Sequence, residues 1–343
     1  MAAHPERVDG YLELASLLCG SGRLHESVQT LRAGVEAPFT GVARATLLTA
    51  LGLYINATTH DVDEPLALAE RALAATEGLA TDEALLARAM ATSLIASCVS
   101  RTDTGRAQEI AAAALSLFNP ILDSGALRDE SALYDAFLEA AGLNYLLGRF
   151  DEAATRCGQA EQFASDTAQR QSCLIELGTI YREAGRLTEA RKTLQEAVTW
   201  PDASPFELLR PYYELGLTEQ EMGKYAEARS KFRKVLDFLR SDPSLPRANL
   251  PAMLRTLGYI SYEMDDVEDA AKSFQAAADA HPAADPLHWH CLAWAARCQS
   301  DLGEIEAARA NAALVKESPT ASKEDRESAD ALLQQLTADT RSH

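Results

Sequence analysis

The chain has 343 residues, of which 32 are basic and 51 acidic, so its formal net charge is −19. An acidic excess of this size argues against nonspecific nucleic-acid binding, which needs a basic surface, and against docking on anionic membranes. No apolar run reaches the ~18 residues of a membrane span, and residues 1–7 lack the pattern of a signal peptide.

The cysteines are typical of packing positions in a reduced protein. The chain has six, and they form no C-x-x-C pair. Cys98 and Cys157 fall where a helix needs a small apolar side chain, and cysteine fills such a place well. We therefore expect free thiols and a cytoplasmic location.

A pattern of large and small residues recurs along the chain. Its fullest copies begin at Leu177-Gly178, Leu215-Gly216 and Leu257-Gly258, and in each copy the glycine precedes an alanine by 12 residues. The first half places a large, a small and an aromatic residue on one helix face, because residues three and four apart are neighbours there. The second half does the same on another helix. Each copy thus predicts a pair of helices packed closely through small residues.

Glycines between the two halves predict where the first helix of each pair ends. Glycine adopts the left-handed conformation that terminates a helix without steric cost. The glycines at this place are Gly148, Gly185, Gly223 and Gly303.

Eight copies of the pattern follow one another in phase. In chain order they are predicted at approximately 8–40, 41–80, 82–120, 128–166, 168–202, 206–242, 248–282 and 286–320. Residues 1–320 would then form one continuous array. Residues 321–343 are predicted to be a capping helix and tail, since residues 323–331 are largely polar, as the end of an array requires. Segments 116–131 and 241–249 interrupt the phase and are predicted to be loops.

The pattern resembles the tetratricopeptide repeat, whose signature is W-x2-L-G-x2-Y, then A-x3-F, then P. Its copies here recur every 37 to 46 residues, a longer step than the standard repeat has. The pattern is therefore similar to the longer-helix versions in some peptide-sensing bacterial regulators and eukaryotic adaptor proteins. The resemblance implies an all-α, right-handed superhelical solenoid of antiparallel helix pairs, with the first helix of each pair on the concave wall.

The resemblance also places the candidate binding residues on those first helices, beside the packing positions. Their side chains are small in the first and third repeats and larger from the fourth onwards. The predicted partner-binding residues are Tyr145, Arg182, Arg210, Tyr213, Glu214, Arg255, Tyr259, Tyr262, His290, Trp294 and Arg297. Acids such as Glu139 and Glu176 are interleaved with them. Tyrosine, tryptophan and arginine are enriched at binding hot spots, although the same residues also serve as solvated i,i+4 pairs and as packing between repeats.

No catalytic residue, metal ligand or cofactor is predicted. The chain has no Gly-rich phosphate loop, G-x-S-x-G or H-E-x-x-H motif. His288 and Cys291 are three residues apart and could share a metal, but we interpret them as a helix start with an exposed histidine and a buried cysteine. The acids between Asp265 and Asp269 lack the spacing and the glycine of a calcium loop. The Lys and Asn clamp of chaperone-binding family members is absent at the matching places.

The sequence therefore predicts a non-catalytic scaffold or adaptor that binds a protein or peptide segment in a concave groove. It predicts no direct binding of nucleic acid or membrane. Two alternatives stay open. One is a ligand- or peptide-sensing module of a bacterial signalling or transcription system, and the other is a scaffold that forms homo-oligomers through its terminal repeats.

Overall fold

The computed structural model describes residues 7–339 except positions 60, 126, 201, 202, 243, 244, 246 and 248. These residues form 17 α-helices and no strand, which confirms the predicted all-α class. The end of the predicted fifth repeat (201–202) and the end of the tail (340–343) lie outside the described residues.

The helices follow one another with short connections. In chain order they are α1 (Val8–Gly20), α2 (Leu24–Glu36), α3 (Gly41–Thr58), α4 (Asp63–Ala75), α5 (Asp82–Val99), α6 (Thr104–Ser124), α7 (Glu130–Leu146), α8 (Phe150–Glu161), α9 (Thr167–Glu183), α10 (Leu187–Val198), α11 (Pro205–Glu221), α12 (Tyr225–Ser241), α13 (Leu250–Glu263), α14 (Val267–Ala280), α15 (Pro286–Asp301), α16 (Ile305–Glu317) and α17 (Lys323–Asp339). We call the odd-numbered helices α1 to α15 first helices and the even-numbered helices second helices.

The chain divides into two compact units, residues 1–211 and 212–343, and the boundary falls within α11. In the first unit, helix pairs approach closely at small residues. A Cβ added at Gly178 of α9 would lie 2.4 Å from the side chain of Leu194 in α10. Buried alanines such as Ala111 and Ala153 line the same kind of contact elsewhere in the unit. The recurring pattern of the sequence thus marks the places where helix axes come close.

The second unit repeats this packing with phenylalanine as the large partner. A Cβ added at Gly216 would lie 2.9 Å from the ring of Phe232, and one added at Gly258 would lie 2.7 Å from the ring of Phe274. The last helix, α17, packs on α16 and α15 and buries Ala329 and Leu336. It is the capping helix that the sequence predicts.

The glycines between the halves end the first helices, as predicted. Gly148, Gly185, Gly223 and Gly303 have φ values between +71° and +78°. This left-handed conformation is strained for every residue with a Cβ. The chain therefore reverses direction at these positions, and the second helix packs back on the first.

The prediction of a loop at 116–131 is wrong for the first half of that segment. Helix α6 continues to Ser124 and contains Pro120 in its last turns. Phe118 and Ile121 are buried in this part of the helix. We attribute the extra turns to this burial, because it offsets the backbone hydrogen bond that proline cannot donate.

Candidate binding grooves on the first helices

In the second unit, three of the predicted aromatic residues pack against one another. Tyr259 and Tyr262 of α13 contact Trp294 of α15 edge-on, with ring centroids 5.3 and 5.4 Å apart. Trp294 also stacks on Phe274 of α14, at 5.4 Å and 24° between ring planes. These rings therefore hold neighbouring repeats together, in addition to facing a groove. We call Tyr259, Tyr262, Phe274 and Trp294 the aromatic cluster.

His290 connects the aromatic cluster to the tail helix. Its Nε2 lies 2.6 Å from the Tyr259 hydroxyl, and its Nδ1 lies 2.9 Å from Oδ1 of Asp325 in α17. A neutral imidazole with its proton on Nδ1 satisfies both bonds, because Nδ1–H donates to the carboxylate and Nε2 accepts from the phenol. Asp325 is 8% exposed and also accepts a 2.6 Å hydrogen bond from the Ser322 hydroxyl.

A groove of about 750 Å³ lies against this cluster. Four predicted residues line it, namely Tyr259, His290, Trp294 and Arg297. The Arg297 guanidinium lies 5.6 Å from the centroid of the Trp294 ring, within range of a cation–π contact. The opposite wall comes from α17 and contributes Glu324, Asp325 and Leu332, with Asp301 at the end of α15. This groove thus has one aromatic wall and charges of both signs. We call it groove 2.

The other predicted residues of the second unit lie on α11 and α13. The Tyr213 ring lies 5.8 Å from Phe232 of α12 and packs within its own helix pair. Glu214 follows it on α11 and is partly buried. Arg255 lies one turn before Tyr259 on α13. Burial raises the pKa of the Tyr259 phenol, and the positive charge of Arg255 opposes that rise.

In the first unit, a second groove of about 370 Å³ lies between α7 and α9 and reaches Arg210 of α11. Two predicted residues, Tyr145 and Arg210, line it together with Leu138, Glu139 and Glu176. The Arg210 guanidinium donates a 2.5 Å hydrogen bond to Glu176. We call this space groove 1. Arg182, which is also predicted to bind, pairs instead with Glu183 at 2.8 Å and has a side chain only 13% exposed.

Two acids of α7 have raised pKa values, namely Glu139, which lines groove 1, and Asp135, which lies one turn before it. Desolvation by the surrounding protein, with the charges of Glu139 and Asp129, raises the pKa of Asp135 to about 6. Desolvation also raises the pKa of Glu139, and repulsion from Glu176 adds to it. The Ser93 hydroxyl opposes this shift by donating a 2.5 Å hydrogen bond to Glu139. Asp135 and Glu139 are therefore poorly compensated when they are ionised, whereas Glu176 is paired with Arg210.

Sequence reasoning did not predict the interactions of three residues that lie in or beside these grooves. Asp135 precedes Glu139 by four residues on one helix, and this like-charge spacing is a visible signal. Ser93 lies 46 residues from its partner Glu139, and Asp325 lies 35 residues from His290. No local pattern relates either pair, so only the packing of successive helices reveals them.

The residues weighed as metal ligands have other partners. The ring Nδ1 of His288 lies 2.8 Å from the Ala278 carbonyl, and Cys291 is fully buried. Asp266 starts α14 by accepting a hydrogen bond from the Asp269 backbone N–H. Among the described residues, no three His, Cys, Asp or Glu side chains are grouped as metal ligands require. None of the described helices combines the length and apolar character of a membrane span.

Comparison with known proteins identifies the repeat. A family model of the tetratricopeptide repeat matches residues 172–203 and 209–238. No curated protein matches the chain in sequence. Among solved structures, the chain is similar to one in the APC/C hetero-tetramer Cut9-Hcn1, with a TM-score of 0.60 and 13% identity over 96% of this chain and 55% of that one. It thus spans about half the length of that protein.

Two Rap structures are similar over nearly their whole length. A Rap protein complexed with Competence and Sporulation Factor has a TM-score of 0.59 and 12% identity, and the apo form of RapI has 0.56 and 10%, each over 98% of both chains. Identities this low show a shared fold, and that fold is the array of helical repeats described above. Residues 172–203 and 209–238 are therefore tetratricopeptide repeats, and the chain shares its helical-repeat fold with these neighbours.

Proposed function

We propose that this protein is a non-catalytic scaffold or adaptor that binds an extended protein or peptide segment against its first helices. Groove 2 carries the proposal. It combines a rigid aromatic wall, an arginine on that wall and carboxylates opposite it. Rigid aromatic rings and arginine give affinity at low entropic cost, and polar groups around them fix the orientation of the bound segment.

The known neighbours support a protein or peptide as the ligand. One Rap structure contains Competence and Sporulation Factor, and the Cut9-Hcn1 structure is a hetero-tetramer. Arrays of helix pairs expose an extended surface suited to such partners. We propose further that residues 1–320 act as one array of repeats, with α17 as its cap.

A sensing module is the second candidate, and the contact between His290 and Asp325 favours it. Through this contact, a residue of the groove wall binds the first turn of α17. A ligand that displaced Asp325 from His290 would change the position of the tail helix. Binding in groove 2 would then change the C-terminal end of the array, and in a sensing module this change would be transmitted to a partner domain.

The test uses a variant that spares the aromatic cluster, because removing Tyr259 or Trp294 would also remove packing against Phe274. We compare wild type with Arg255→Gln/Arg297→Gln, which removes the arginine of groove 2 and the predicted binding residue one turn before Tyr259. We call it the groove variant. The matched control is Arg71→Gln/Arg106→Gln, which removes two exposed arginines on second helices. Each protein is immobilised, exposed to lysate of its source cells, and its bound proteins are identified by mass spectrometry.

We expect a protein that wild type and control retain and that the groove variant loses. Calorimetry with that purified protein should show at least ~10-fold weaker binding to the groove variant, as loss of ~1.4 kcal/mol implies. Identical sets of bound proteins for all three would contradict the use of groove 2. No bound protein in any sample would contradict the scaffold and favour the sensing module.

A further inference from the structure

Groove 1 contains carboxylates at one recurring repeat position. Glu139 and Glu176 each come directly before the residue that opens the repeat pattern, Ala140 and Leu177, so they are 37 residues apart. Both line the groove between α7 and α9. The first helices of two consecutive repeats therefore present an acid to the same space.

The two glutamates have different partners. Glu176 binds the guanidinium of Arg210, whereas Glu139 accepts its hydrogen bond from the hydroxyl of Ser93. Asp135 lies one turn before Glu139 on α7, and no hydrogen bond or ion pair to it is found within the described part of the chain. The pair formed by Glu176 and Arg210 shows how a cationic side chain is held in this groove. Among the described residues, no comparable cation is paired with Asp135 or Glu139.

The charges around Asp135 come from several helices. Tyr54 of α3 interacts electrostatically with it, Asp129 directly precedes α7, and Glu139 lies one turn further along α7. Glu176 and Arg210 line the groove beside Glu139. Three of these described neighbours are carboxylates, and the cation among them is bound to Glu176. Ionised Asp135 and Glu139 repel each other at i,i+4 spacing. A cation placed between them would remove that repulsion.

Most of the remaining lining of the groove is apolar. Leu138, Ala141 and Ile180 contribute to it, and Tyr145, which also lines the groove, is 36% exposed. A bound segment can therefore bury an apolar side chain beside the one that carries its charge. This combination distinguishes the groove from a solvated acidic helix face.

We propose that groove 1 binds an extended protein segment in which a lysine or arginine lies next to a large apolar residue. The basic side chain is held by Glu139 in the groove and by Asp135, which lies one turn before it on α7 at the edge of the lining, and the apolar side chain packs against Leu138 and Tyr145. This inference rests on the proposed function, since it names the chemistry of one partner segment of the same array.

The test compares two pools of fluorescent eight-residue peptides with randomised flanks. One pool has lysine–leucine fixed at its centre, and the other has glutamine–leucine. Binding is measured by fluorescence anisotropy at pH 7.5 and pH 5. The groove variant is Asp135→Asn/Glu139→Gln. The control is Glu109→Gln/Glu152→Gln, which removes the same charge from exposed positions on the second helices α6 and α8.

We expect wild type to bind the lysine pool at least ~10-fold more tightly than the glutamine pool at pH 7.5. The preference should shrink at pH 5, because Asp135 is protonated there while lysine keeps its charge. The groove variant should lose the preference, and the control should keep it. Equal binding of the two pools by wild type, or an equal loss in groove variant and control, would overturn the proposal.

The outcome is separable from the test of groove 2. If proteins captured through Arg255 and Arg297 remain while the lysine preference is absent, groove 1 is not the site of a basic segment and the scaffold function stands. If capture fails and the lysine preference is found, groove 1 binds a basic segment and the proposed use of groove 2 is wrong.

Discussion

Two helical glycines of the first unit differ in the space that surrounds them, and this decides whether an added Cβ atom stabilises or destabilises the protein. A Cβ at Gly178 would come within 2.4 Å of Leu194, a buried core residue. A Cβ at Gly158 of α8 would meet no atom within 4 Å. The same substitution therefore has opposite consequences, since alanine favours a helix over glycine by about 1 kcal/mol when space allows.

We predict that Gly178→Ala destabilises the protein and that Gly158→Ala stabilises it. Overpacking at Gly178 should cost about 1–3 kcal/mol, because Leu194 must leave its position. Gly158→Ala should add about 0.5–1 kcal/mol. Urea unfolding followed by circular dichroism measures both. A stable Gly178→Ala variant would show that the approach of α9 to α10 is looser than described.

Asp135 gives a second prediction at the residue scale, from its pKa. Its pKa is raised to about 6 in the folded protein, whereas an unfolded aspartate has a pKa near ~3.9. The folded state therefore holds this proton more tightly, and the associated stability is present below pH ~4 and lost as the pH rises through about 6. An asparagine at this position is neutral at every pH, so the variant does not lose this stability as the pH rises.

Asp135→Asn should consequently be more stable than wild type at pH 7 and equal to it near pH 4. We expect about 1 kcal/mol at pH 7, less than the full shift implies, because the exposed side chain is screened by solvent. Melting temperatures at pH 4, 5, 6 and 7 measure the difference. A constant difference across this range would show that the substitution acts through something other than ionisation.

Helix α17 is held by a buried polar contact as well as by apolar packing. The bond between His290 and Asp325 joins its first turn to α15, while Ala329 and Leu336 bury its apolar face. Replacing Asp325 by alanine would leave the partly buried imidazole N–H of His290 without its acceptor. Such a loss costs about 1–3 kcal/mol of stability.

We therefore predict that Asp325→Ala loosens α17. Hydrogen exchange of the α17 amides should be roughly 5- to 30-fold faster, since about 1–2 kcal/mol corresponds to that factor. Glu324→Ala is the control, because it removes an exposed acid from the same helix turn. Equal exchange in both variants would mean that the contact with His290 does not hold the helix.

For the whole molecule, what the sequence predicts depends on how far apart the interacting residues lie. Helix ends at Gly148 and Gly185, and the close approach at Gly178 and Gly258, follow from patterns within one repeat. Ser93 with Glu139 and His290 with Asp325 do not, because the partners lie in different helix pairs and no local pattern relates them. The sequence therefore predicts the helix pairs well and the polar contents of the grooves poorly.

Charges between neighbouring helix pairs also specify the order of the repeats. Arg229 and Arg233 of α12 bind Asp266 and Asp269 at the start of α14, at 2.7 and 2.9 Å. If the seventh repeat were deleted, the matching positions of the eighth would be Glu304 and Ala307. One arginine would then face no acid. This junction thus distinguishes the seventh repeat from the eighth, and these two repeats are not interchangeable.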